Sequence, residues 1–520
     1  MFLRSFLNTN PRSGAGEPAI GAGPGTTTPA GRTPFLRLAL LTAAAIVIHG
    51  YHQGVEDAEI YIPGARKLLH PGLYPFGGQF FLSHERLSLF SHLLAWSAQL
   101  TRLSVDATIS LWYVLTLFAY LAFCWMLARI SFETPRARWC AVLTMTAVLT
   151  MPATNTGLLL MDPYLTARSF STPLLLLALV LFLERRYAWA GAVTLIAALI
   201  HTQMTLFLVL LLVSLWATEK LGTRMRERVP VLAGVAALPG DFTLGPAHGA
   251  YRDALYTRPY FFLSTWTWYD WLGMLAPLAF LVWFWRGNLR GTTAVFRRLS
   301  LALIPFGLLS IVAAFALSWS HQTDMFARLQ PLRSFHLITL VFVLYLAGVF
   351  GEYAARGRRW TIPLLVLPLA GLMFRAMSST YPDSPHIELP WLKTSSNAWV
   401  NTLLWIRQNT PENAVFAVDS RYFKQPGVDA HGFRAISERS ELADYNKDGG
   451  VASMFPRLAP EWQRESTATY GLNHFTAAQF EQLAREYPVT WTVIHGPPPA
   501  GMSCPYQQRG YAVCRIPGAG

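Results

Sequence analysis

Long uninterrupted apolar runs constrain this chain more than any other feature. Residues 174–183, 188–200 and 206–216 carry no polar stripe of the kind a water-facing helix needs. With its flanks, each run approaches the roughly 20 residues that cross a bilayer. The runs are continuous and do not alternate, which implies helices and not barrel strands. Composition agrees: 52% of the 520 residues are apolar and only 14% are charged, a balance unlike that of soluble domains. The net charge of +13 reflects 42 Lys and Arg against 29 Asp and Glu, the cations being spread along the chain, many of them in short segments between the apolar runs. No basic face results, so membrane lipids and not nucleic acid are the expected surroundings.

The pattern predicts an all-α polytopic membrane domain over residues 34–380, with about eleven transmembrane helices, followed by a small extracytoplasmic α/β domain over 381–520. Residues 1–33, rich in Gly, Pro, Thr and Ser, read as a disordered cytoplasmic tail. The spans are expected near 34–50, 106–130, 138–152, 170–184, 187–201, 202–218, 229–240, 268–286, 299–318, 331–350 and 360–377. With the amino terminus inside, the inner segments hold nineteen Lys and Arg and the outer loops nine. This orientation follows the positive-inside rule and places the closing domain outside. The first outer loop, 50–105, contains two helical stretches that do not span. Residues 61–70 have amphipathic spacing suited to the membrane surface, and 85–103 read as interfacial or re-entrant. In the closing domain, helices are expected at 397–408 and 476–487 and strands at 414–418 and 489–494.

Candidate chemistry collects at the outer ends of the helices. Glu56 and Asp57 follow the first run; paired carboxylates in a low-dielectric interface can act as a base or hold a metal, or simply cap the next helix. Asp162 and Arg168 precede the run near Phe170, where a carboxylate is also an ordinary helix cap. Arg328 and Arg333 flank the start of a late helix, and their planar forks match phosphate oxygens, whether of a bound donor or of ordinary headgroups. His201 joins two apolar helices at the outer face, where it lines the site or eases a tight hairpin; His84 and Glu85 stand in the first loop. Cys124 and Cys140 lie in apolar helices and read as inert, while Cys504 and Cys514 flank a turn at 507–510 where an oxidising compartment permits a disulfide.

With Glu56-Asp57 in a long first loop, Asp162 in the second, Gln330-Pro331-Leu332-Arg333 opening a late helix and an outer closing domain, the chain resembles the GT-C superfamily of integral-membrane glycosyltransferases. The segment Trp405-Ile406-Arg407-Gln408-Asn409-Thr410-Pro411 is similar to the start of that domain in bacterial members. The sequence departs from the better-known branches. No Glu-Lys-Pro-Pro follows the acidic pair, where His84-Glu85-Arg86 stands instead, and Trp268-Tyr269-Asp270 is only superficially like the Trp-Trp-Asp of oligosaccharyltransferases. The resemblance implies a bacterial inner-membrane enzyme that takes a sugar from a polyprenyl phosphate to a glycan, lipid or protein acceptor. Asp57 would be the base with Glu56 beside it, and Asp162 an acceptor or metal ligand. Arg333, Arg328 and Arg168 would bind the donor phosphate. A divalent metal, Mg or Mn, held by Asp57 and Asp162, belongs to some branches. A flippase of lipid-linked sugars or a non-catalytic scaffold are the alternatives from other classes.

Overall fold

The computed structural model of the chain describes residues 33–223, 245–358, 360–389 and 394–518. Among these, five helices are long and apolar enough to cross a membrane: Val105–Ser131, Thr202–Lys220, Ala294–Ser318, Pro331–Tyr353 and Thr361–Thr380. Three shorter apolar helices, Pro34–His49, Ala167–Leu183 and Tyr187–Ile200, pack with them. Eleven spans are therefore not supported. The helix expected over 138–152 is Pro135–Ala147, whose 13 residues reach only about 20 Å at 1.5 Å per residue, short of the ~30 Å hydrocarbon core. Trp268–Arg286 is longer, at 19 residues, but Asp270 and its indoles dilute the apolar run. The span expected at 229–240 and the tail at 1–32 lie outside the described residues.

The helices begin and end where local chemistry directs. Ser104 accepts from the Ala107 N–H at 3.2 Å and caps Val105–Ser131. Thr134 caps the next helix, with Pro135 in its first turn, where a missing N–H costs nothing. Thr166 and Ser169 form a reciprocal capping box at the head of Ala167–Leu183. Close helix packing uses small residues: a Cβ on Gly348 would collide with the Phe132 ring, and one on Gly351 would lie 2.6 Å from Cys140 Cβ. Cys124 and Cys140 are buried and free. By contrast, Thr361–Thr380 buries only Met377 and turns Leu364, Leu367 and Leu372 outward. Such an apolar exterior suits lipid and not water.

The carboxyl-terminal part is built on a five-stranded sheet in the order β2-β1-β3-β5-β4. The strands are β1 (Val415–Ala417), β2 (Ser440–Glu441), β3 (Trp491–His495), β4 (Tyr506–Gln508) and β5 (Tyr511–Arg515). β1 runs parallel to β2 and β3; β5 is antiparallel to β3 and β4, with Val493 opposite Val513. Alternation sorts the two faces. Phe416, Trp491 and Val493 pack under Trp399, Leu403 and Ile406 of the helix Ala398–Asn409, whereas Val415, Ala417 and Ile494 meet Phe480 and Leu483 of Ala477–Glu486. Arg509 and Gly510, both at positive φ, turn β4 into β5, and a disulfide joins Cys504 to Cys514 across the hairpin's outer end.

The segment 50–105 is packed against protein. The amphipathic stretch expected there forms the helix Ala58–Leu69, whose Glu59, Ile60, Ile62, Ala65 and Arg66 are buried. It packs on Phe90–Thr101 and on the short helix Phe433–Ser437 of the carboxyl-terminal part. Residues from 60–81, 247–262 and 443–462 share one apolar cluster, so packing crosses the boundary drawn at residue 380. The amphipathic pattern was real, but its apolar side faces protein.

Candidate functional site

The chain leaves the helix Thr33–His49 through Gly50, at φ 74°, and runs back along the bundle end with the His52 N–H on the Pro163 carbonyl at 2.9 Å. Glu56 is held at φ 52°, a left-handed conformation uncommon for a residue with a side chain, while its N–H donates to the Ala430 carbonyl at 2.8 Å. Asp57 immediately precedes the helix Ala58–Leu69 but makes no side-chain capping bond. Its carboxylate points elsewhere, and the simple capping role is excluded.

Asp57 Oδ1 accepts from Lys447 Nζ at 3.0 Å, and its Oδ2 lies 3.8 Å from Arg168 Nη1. Lys447 also pairs with Glu56. Behind this group Arg168 Nη2 reaches both oxygens of Asp162 at 2.7 Å, and Asp162 accepts from Thr166 Oγ1 at 3.2 Å. Asp162 is therefore no helix cap; Thr166 has that role. Burial works to raise the Asp57 pKa, yet the charges of Lys447 and Arg168 outweigh it and hold the carboxyl well below the usual range. At Asp162, deeper in the protein, burial wins over Arg168 and the shift is upward.

Arg333 sits on the other side. Among the described residues its guanidinium reaches only neutral oxygens, Gln203 Oε1 at 3.4 Å and the Tyr260 hydroxyl at 3.5 Å, and its buried Nε has no hydrogen-bond partner. Arg333, Tyr260, Gln330 and Thr156 line a small cleft with room for about one water molecule. Arg258, from the same outer loop as Tyr260, donates to the Asn446 carbonyl and lies within electrostatic reach of Asp57 and Lys447. His201 accepts from the Met204 N–H at 3.4 Å and neighbours Arg168, Arg333 and His84. Burial pushes His201 down to about 3 and His84 to about 4, so both are neutral imidazoles at physiological pH.

No family model matches the chain, and a search of curated proteins finds no match.

Six residues picked from the sequence thus converge: Glu56, Asp57, Asp162, Arg168, Arg333 and His201, with His84 at the edge. Arg328 does not join them. It is buried against the Met454 carbonyl at 3.2 Å, within electrostatic reach of Tyr251, and ties the last outer loop to the carboxyl-terminal part. Arg168 is spent on Asp162 and is poorly placed to serve a phosphate as well. Glu85 lies apart, near Lys67, with Oε1 buried and unbonded; burial raises it to about 7. Among the described residues no group of three His, Cys, Asp or Glu side chains converges for a metal. Asp57 and Asp162 already face Lys447 and Arg168, so this donor set does not suit a divalent ion. Sequence reasoning missed Lys447, Arg258, Tyr260 and Gln203. Lys447 stands in Tyr445-Asn446-Lys447-Asp448-Gly449-Gly450, which reads as an exposed turn and carries no local signal of a buried cation.

Proposed function

We propose that the chain is a membrane glycosyltransferase that moves a sugar from a polyprenyl-phosphate donor to an acceptor outside the cytoplasm, with inversion. One observation supports this reading: a partly exposed carboxylate, Asp57, lies within electrostatic reach of an arginine, Arg333, that forms no salt bridge to a carboxylate among the described residues. The first group can accept a proton and the second can hold a phosphate. In the proposed step the acceptor oxygen attacks the anomeric carbon as the bond from that carbon to the phosphate oxygen breaks. The acceptor proton passes to Asp57, and the lipid phosphate departs with the electron pair, its charge met by Arg333. Asp162 and Arg168 act behind the reacting atoms, as a rigid pair that orients Asp57. The loop charges favour a cytoplasmic amino terminus in the inner membrane, with Asp57 on the far side.

The test is Asp57→Asn in the native host. The amide keeps the size of the acid but takes no proton, so transfer should fall by about 10²-fold or more while the protein stays inserted. Mass spectrometry of lipids that co-purify with the detergent-solubilised protein should find a polyprenyl phosphate. Wild-type glycan in the Asp57→Asn strain, where deletion of the whole chain abolishes that glycan, would remove Asp57 from the chemistry.

A further inference from the structure

Cations outnumber carboxylates around Asp57. Lys447, Arg168, Arg258 and Arg333 surround Glu56, Asp57 and Asp162. The four cations are engaged differently. Arg168 is held through its Nη2 by Asp162 and through its Nη1 faces Asp57, whereas Arg258 and Arg333 contact only neutral oxygens among the described residues. Lys447 alone bridges Glu56 and Asp57, and it reaches them from the other side of the molecule's sequence, at the start of the helix Lys447–Met454. An ammonium on a four-carbon stem can swing between partners more freely than the planar guanidinium of Arg168, whose Nη2 is held by both oxygens of Asp162. Of the two arginines without carboxylates, Arg258 lies within electrostatic reach of both Lys447 and Asp57, and Arg333 within reach of Asp57.

We propose that Lys447 is a movable cap on the site: in the free protein it covers Glu56 and Asp57, and it turns to a phosphate-class anion bound beside Arg258 and Arg333, uncovering Asp57. This deepens, and rests on, the assignment of Asp57 as the base. It also answers a difficulty in that assignment, because a carboxylate paired with Lys447 and Arg168 is a weak base until one cation leaves. Carboxylates and anion compete for one ammonium. Weakening the carboxylates must therefore tighten the anion, and removing the ammonium must loosen it.

The experiment titrates full-length protein in detergent with inorganic pyrophosphate and, separately, with farnesyl phosphate, by isothermal calorimetry. Glu56→Gln should tighten binding by about 3–10-fold, Lys447→Met should weaken it by about 10-fold, and Lys447→Arg, whose planar fork stays on the carboxylates, should weaken it by about threefold or more. Unchanged affinity in Lys447→Met, unchanged or weaker affinity in Glu56→Gln, or no binding of either probe by the wild type would each overturn the cap. If Lys447→Met does not fold, Glu56→Gln and Lys447→Arg decide between the same outcomes. Tighter binding of farnesyl phosphate than of pyrophosphate identifies a lipid-borne phosphate as the anion, and equal binding identifies a free one. These affinities need no turnover, so they stand or fall separately from the effect of Asp57→Asn on transfer.

Discussion

The buried cluster around Arg434 yields a prediction whose sign runs against intuition. This guanidinium, 2% exposed, is ringed by four carboxyl groups: Glu59 at 2.9 Å, Glu441 at 3.2 Å, Asp444 at 3.5 Å and Asp448 at 2.5 Å. One positive charge cannot balance four negative ones in so dry a place. Burial raises the pKa values of Glu59, Glu441 and Asp448, against the pull of Arg434, so part of the ring is protonated. Glu441 faces Glu59 closely enough to share a proton, and its own Oε2 has no other partner. Glu441→Gln therefore mimics the acid form already favoured and should change stability by no more than about 1 kcal/mol, in either direction. Glu59 accepts from the N–H groups of Arg434 and Ala435, each at 2.9 Å, so Glu59→Gln turns a donor on a donor and should cost about 1–3 kcal/mol. Arg434→Met leaves the acids without a counter-charge and should cost about 3–5 kcal/mol. The pH dependence follows from the same shifts. A carboxyl whose folded pKa is raised contributes stability below its unfolded value and loses it as pH climbs, so the ring's own contribution should fall above about pH 4.5. His84 and His201, held neutral by burial, work the other way and gain stability as pH rises towards 6.5, so the ring's share is read as the difference between wild type and Glu441→Gln. Thermal unfolding of the detergent-solubilised protein, followed by tryptophan fluorescence at pH 5, 6.5 and 8, measures all of this. Glu441→Gln as damaging as Arg434→Met, or a Glu441→Gln protein that does not gain on wild type as pH rises from 5 to 8, would refute the shared-proton reasoning.

Two further outcomes are expected. Reporter fusions after residue 380 should be active only outside the cytoplasm and those after residue 292 only inside it; the reverse pattern would undo the orientation. Cys504→Ser should lower the unfolding temperature of the carboxyl-terminal part without abolishing the sheet, since closing so short a loop contributes roughly 2–3 kcal/mol in the chain-entropy picture; an unchanged transition would show that the hairpin needs no covalent tie.

What the sequence made legible was local. Apolar runs announced the long helices, Thr476 announced the helix Ala477–Glu486, and the strand expected at 489–494 contains most of β3. Span number was not legible, because a run such as 138–152 does not show that Met151 and Pro152 leave the helix to pair with residues 159 and 160. β2 has two residues and gives no periodicity at all. The helix Ala58–Leu69 showed its two-sided spacing plainly, but spacing alone does not say whether lipid or protein will cover the apolar side. The acidic half of the candidate site stood out, since charges are rare beside apolar runs. Its basic half did not: Lys447 reaches Asp57 across 390 residues, and only tertiary packing brings them together.

That separation has a consequence for how the chain is made. Synthesis delivers Glu56 and Asp57 early and Lys447 only when most of the polypeptide already exists. A ribosome part-way through the message holds a chain whose acidic pair has no ammonium and whose Glu59 has no Arg434. The pairing of Glu56 with Lys447 and of Glu59 with Arg434 must therefore wait until the last quarter of the protein arrives. Any quality-control machinery that samples the nascent chain meets an open Glu59, a carboxylate that the finished protein buries completely.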